Sequence, residues 1–180
     1  SLDGSLDSSI KAQKSLHFVL ANDYEFAWKD RPFKLTTELY YKKMSSLMPY
    51  YMDNMRIRYS GKNNAKGYAY GMDARLFGEF VPGVDSWISV GYSRIYENID
   101  NKGFIPRPTD QRFRVSMFYQ DYMPKFPSMR VNLTLVYASG LPTGTPILFN
   151  ADGTPNFDTA YHFQKTLTSY KRVDIGLTKI

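Results

Sequence analysis

Cysteine is absent from the sequence, and with it go disulfides, thiolate metal centres and a thiol nucleophile. Histidine is scarce: His17 and His162 are the only two, which leaves little for zinc. No stretch approaches the ~18 consecutive apolar residues of a membrane-spanning helix, a test that says nothing about membrane strands. The opening SLDGSLDSS lacks the basic and apolar regions of a secretory signal, so none is expected there. Lysine and arginine outnumber the acids for a net charge of +6, yet they form no run. Their spread between apolar residues argues against a nucleic-acid partner and leaves anionic headgroups, an acidic ligand or a plain solvated surface.

What the chain has in quantity is aromatic residues, 15 Tyr and 12 Phe, a balance that favours strands over helices. The spacing of apolar residues points the same way. In MRVNLTLVYASG, Met129, Val131, Leu133, Leu135 and Tyr137 alternate with Arg130, Asn132 and Thr134, so an extended chain would sort them onto two unlike faces. The pattern recurs in SLHFVLANDYEFAW, FKLTTELYY, GYAYGMDARLFGEF, WISVGYSR, RFRVSMFYQ and KRVDIGLTK. That makes seven strands long enough for the ~9 to 11 residues that cross a bilayer at a tilt, and none has a helical period. The length suits a single unit spanning 1–180, with 1–12 an irregular lead-in.

Connections of two kinds separate these strands. KDRP, PGVD and MPKFPS are short and contain proline, whereas roughly 44–66, 97–110 and 140–169 are long. Short and long connections alternate, which in an antiparallel meander collects all the short ones at one end. Outer-membrane barrels have that asymmetry. Trp28 and Phe33 flank the first short turn, Phe80 and Trp87 the second, Tyr122 and Phe126 the third, as an interfacial aromatic girdle would. The fold expected is therefore all-β: an antiparallel up-and-down meander of about seven long strands, part of a transmembrane β-barrel, or a small closed barrel if isolated. One face should meet lipid and the other a polar lumen.

The segments KAQKSLHFVLANDYEF, FKLTTELYYKK, IRYSGKNNAKGYAYGMDARLFGEFVPGVDSW, PRPTDQR and YKRVDIGL resemble the carboxy-terminal part of the barrel of TonB-dependent outer-membrane receptors of the Bacteroidetes type. The likeness covers nearly the whole chain from about Ile10. It implies a location in the cell outer membrane, no cofactor, and a share in importing a scarce nutrient such as a ferric siderophore, cobalamin or a glycan. It also implies outer-membrane lipid as a neighbour, the rest of the barrel and its plug as partners, and TonB reached through that plug. No plug, TonB box or closing aromatic-ended strand is found, so the chain is expected to be a fragment whose edge strands need partners.

Ligand candidates are the cations near the long connections: Arg56, Arg58, Arg107 and Arg112. A guanidinium fork suits carboxylate, catecholate or phosphate, and the alternative role for each is an ion pair with a neighbouring acid. Asp152, Asn156 and Asp158 in NADGTPNFD offer spaced oxygens to calcium, although the spacing departs from an EF-hand and fits a hairpin tip equally well. Gly67 and Gly71 in GYAYG are expected to relieve crowding in a curved sheet rather than hold phosphate, since no helix follows. Neither histidine has the context of a catalytic base, so no enzyme is expected, and His17 should lie on a polar face. A soluble β-sandwich or small barrel acting as a ligand-binding module is the rival, with its apolar faces packed on one another. An outer-membrane lipase or protease would need a Ser/His pair that the sequence does not supply.

Overall fold

The computed structural model describes residues 10–53, 56–123, 125–143, 148–149, 151, 155–156 and 165–179. Seven long strands carry the fold: β1 (Lys14–Trp28), β2 (Arg31–Leu47), β3 (Ala65–Val81), β4 (Val84–Ile99), β5 (Phe113–Met123), β6 (Phe126–Ala138) and β7 (Tyr170–Lys179). They form one antiparallel sheet in chain order, an up-and-down meander. The first four run 15 to 17 residues, longer than the apolar alternation alone implied.

Local chemistry sets the short turns. Lys29 and Asp30 both have positive φ, 52° and 58°, between the paired Trp28 and Arg31, the backbone of a two-residue hairpin whose twist matches that of its strands. Pro82 and Gly83 (φ 75°) join Val81 to Val84, proline fixing the first turn position and glycine taking the left-handed second.

The long connections are not plain loops. Tyr50–Asp53 pairs with Arg56–Tyr59, Phe104–Pro106 pairs back onto β4, Pro142–Thr143 pairs with Lys165–Thr166, and Leu148–Phe149 with Pro155–Asn156. The alternation of Arg56 with Ile57 and Tyr59 is the local reason for the first of these ribbons.

The sheet does not close. β1 and β7 each have one neighbour and form its two edges, so the small closed barrel expected for an isolated chain is corrected to an open sheet. Seven strands would enclose a lumen filled by side chains. The polar face, with Lys34, Asp73, Arg75 and Arg114, would place too many charges in that space. Among the described residues the cluster of buried apolar side chains is small: Met44, Leu47, Ala65, Ala69 and Ile99, with Ile95 and Ile105 against it. It lies at the end with the long connections, where Phe104–Pro106 folds back on the sheet.

Candidate functional site

Cross-strand register decides which side chains share a face, because directly paired residues point the same way. Leu20 is opposite Leu39, Leu39 opposite Met72, Met72 opposite Tyr92, and Tyr92 opposite Phe113. A second row joins Leu35, Leu76, Ile88, Met117, Leu135 and Val173. All seven expected apolar sets thus lie on one face. Among the described residues no second layer covers it: Leu20 is 70% exposed, Leu39 53% and Ile175 74%.

Aromatic clusters bound this apolar face at both ends. At the short-turn end, Phe33 is buried among Phe26, Trp28 and Phe80, with ring centroids 5.7, 5.7 and 5.2 Å away, and Tyr24 stacks on Phe26. At the loop end, Tyr68 contacts Tyr41, Tyr70, Tyr96 and Phe104 at 5.0 to 6.5 Å. Phe33 and Tyr41 are eight residues apart on β2, and Tyr68 and Phe80 twelve on β3. At about 3.3 Å per residue these are spans of roughly 27 and 40 Å along the strand, or about 20 and 30 Å of height at a tilt near 40°.

The six aromatics expected as a single girdle divide. Trp28, Phe33 and Phe80 come together on the apolar face. Trp87 lies on the opposite one, paired with Phe77 and Phe118 and with the Arg75 guanidinium 4.8 Å from its ring. Tyr122 pairs with Arg130, whose guanidinium is 5.6 Å from its ring, and Phe126 sits exposed at a register shift. Strand parity separates residues that sequence proximity to a turn had grouped. The loop-end tyrosines were missed, although YAY, with aromatics two residues apart, carries the signal.

The other face is polar and laced with charge. Lys34 Nζ is 2.8 Å from Asp23, and Thr36 donates to the same carboxylate at 2.7 Å. Asp73 and Arg114 come within 3.5 Å although β4 runs between them. Gly91 is the residue opposite both, and a Cβ there would stand 2.3 Å from Asp73 Oδ1, so the pair exists because that position lacks a side chain. Gly71 likewise lies under the Tyr40 phenol, the relief of crowding expected of GYAYG. His17 is on this face, opposite Lys42 and edge-on to Tyr40.

At the loop end, a group of acids and arginines surrounds PRPTDQR. Asp110 is fully buried; its Oδ1 accepts from the Ile95 N–H at 2.7 Å, and its Oδ2 stands 3.6 Å from Arg94 Nε and 3.7 Å from Arg112 Nε. Those two contacts are longer than hydrogen bonds, so one carboxylate is shared electrostatically by two guanidinium groups. Glu97, also buried, lies 3.3 Å from Arg107 Nε. Arg107 further stands 5.9 Å from the Tyr50 ring, which links the Tyr50–Tyr59 ribbon to this group. Burial pushes the Tyr50 phenol up from its ordinary value, and the Arg107 charge works against that shift.

Of the four arginines proposed from the sequence, Arg107 is mostly buried and paired, Arg112 half-exposed and paired, and Arg56 exposed on the ribbon. The Arg58 side chain lies outside the described residues, as do Asp152, Asp158, the Asn156 side chain and His162. Arg94, Glu97 and Asp110 were not singled out, although Asp110 sits inside a segment quoted whole. Beside this group, a cleft of about 320 Å³ opens on the polar face, lined by Tyr40, Ser93, Thr109, Gln111 and Arg114 among others. Its hydroxyl, amide and guanidinium groups offer donors to a polar ligand.

Compared with family models, with curated proteins and with solved structures, the chain matches none.

Proposed function

We propose that the chain forms part of the wall of an outer-membrane β-barrel of the TonB-dependent transporter kind and shares in the uptake of a scarce nutrient such as a ferric siderophore, cobalamin or a glycan. The observation that carries this is the exposed apolar face set between two aromatic clusters roughly 20 to 30 Å apart in height, against the ~25 Å of an outer-membrane apolar band. Long strands support it, since strands of 15 to 17 residues outrun a bilayer and would carry the loop end beyond it. Long connections gathered at one end, with the Arg107–Glu97 and Arg112–Asp110 pairs beneath them, suit a ligand mouth whose wall is held by internal charge. The partners on this proposal are outer-membrane lipid on the apolar face, further barrel strands at the β1 and β7 edges, a plug against the polar face and TonB through that plug.

The two tryptophans report on the two faces separately. In phosphatidylcholine bilayers doped with brominated lipid, the Trp87→Phe variant, with Trp28 alone, should lose most of its fluorescence. The Trp28→Phe variant, with Trp87 alone, should lose little. A water-soluble monomer whose Trp28 escapes quenching would favour a soluble binding module instead.

A further inference from the structure

We infer that the loop end of the apolar face docks the phosphate groups of an anionic membrane lipid, a site that rests on the membrane-wall proposal above. Register places Lys43 opposite Tyr68, Lys66 opposite Asn98 and Arg94 opposite Tyr70, all on the apolar face. Lys14, opposite Ser45, extends the row to the edge strand. With strands ~4.8 Å apart and same-face residues ~6.7 Å apart, the Lys43 Cα falls roughly 8 Å from that of Lys66 and roughly 12 Å from that of Arg94, with Lys66 and Arg94 roughly 14 Å apart, around Tyr68. Lysine stems lie along apolar surface and keep their charged heads in water, which leaves the heads of the exposed Lys43 and Lys66 at the edge of this face.

These charges are not cancelled from within the sheet. Lys43 is exposed and Lys66 donates to the neutral Asn101 side chain at 2.8 Å, whereas Arg94 is engaged by the Tyr96 hydroxyl and ring and by the Asp110 carboxylate that it shares with Arg112. Among the described residues of the seven strands, Asp121 is the one acid whose parity puts it on the apolar face, and it lies at the short-turn end opposite Val131. Asp23, Glu38, Asp73 and Glu97 all belong to the polar face. At the short-turn end the described cations are engaged or apart: Arg31 donates to the Phe80 carbonyl at 2.6 Å, Lys29 stands 5.3 Å from the Trp28 ring, and Lys179 lies on the far edge strand opposite Met129. A positive row beside the half-exposed rings of Tyr41 and Tyr70 sits where headgroup phosphates would lie, and such a surface gains affinity with each cation near the charged layer.

Adjacent lysines on opposite faces make the test. The full chain is floated with phosphatidylcholine vesicles containing a minor fraction of a bis-phosphorylated glycolipid, or of the same lipid without its phosphates, and the lipid retained after detergent extraction is measured. Wild type should retain the phosphorylated form selectively. Lys43→Ser combined with Lys66→Ser should weaken that retention roughly tenfold, Lys43→Arg should keep it, and Lys42→Ser, on the polar face, should leave it unchanged. Equal loss in Lys42→Ser, or equal retention of the phosphate-free lipid, would overturn the site. Competition by inorganic phosphate without any lipid preference would overturn the lipid assignment in favour of a free-anion site. A chain that floats but shows no preference fails here alone, whereas one that floats with no vesicle fails as a membrane wall as well.

Discussion

Between Arg107 and Arg112 the chain leaves the side of β4 and returns to it. The Arg107 N–H donates to Ile95 O and the Ser93 N–H to Arg112 O, which would leave the Ile95 N–H without a partner. The Asp110 carboxylate fills that gap and meets two guanidinium groups at the same time. Replacing Asp110 with alanine strands a buried amide and leaves two cations with less compensation, so Asp110→Ala should cost about 3–5 kcal/mol in denaturant unfolding. Asp110→Asn keeps an acceptor for Ile95 and should cost clearly less; equal losses would mean that charge alone matters. The sequence offered PRPTDQR as a unit and its arginines as ligand candidates. Which strand amide would lack a neighbour depends on where β5 begins to pair, and no spacing within the segment encodes that.

Strands carry the clearest correspondence between sequence and structure. A period of two gives each strand a wet and a greasy side, and pairing then has to align the greasy sides, since a slip of one residue would turn a whole strand over. Leu135 and Thr134 on β6 illustrate the result: Leu135 sits between Met117 and Val173, and Thr134 between Phe118 and Asp174. In a bilayer, Leu135→Lys should destabilise the folded chain by about 2–4 kcal/mol. Thr134→Lys, beside Asp174, should change stability by less than about 1 kcal/mol. Folding titrations in lipid vesicles would show the contrast, and a larger cost at Thr134 would reverse the assignment of faces. The same parity explains why Trp87 and Tyr122 stand apart from Trp28: closeness to a turn fixes height along the strand but not side of the sheet.

As a whole the molecule is a wall with two open edges. Half of the amides along β1 and β7 face away from the sheet, and unpaired edges are where another strand would add. Hydrogen exchange on the chain alone should therefore find alternate amides of β1 and β7 fast while both sets in β4 are slow. Slow exchange at both edges would show that a second chain had closed them. Period-two alternation, turn chemistry at Lys29–Pro32 and Pro82–Gly83, and the order of short and long connections were enough to determine an antiparallel meander with one apolar face, because each is set by local backbone geometry and side-chain direction. Tertiary structure alone decided that the sheet stays open, that aromatics gather at both ends of the apolar face, and that buried Asp110 and Glu97 hold the arginines. Those features depend on register across strands far apart in the chain, where one residue of offset changes every neighbour.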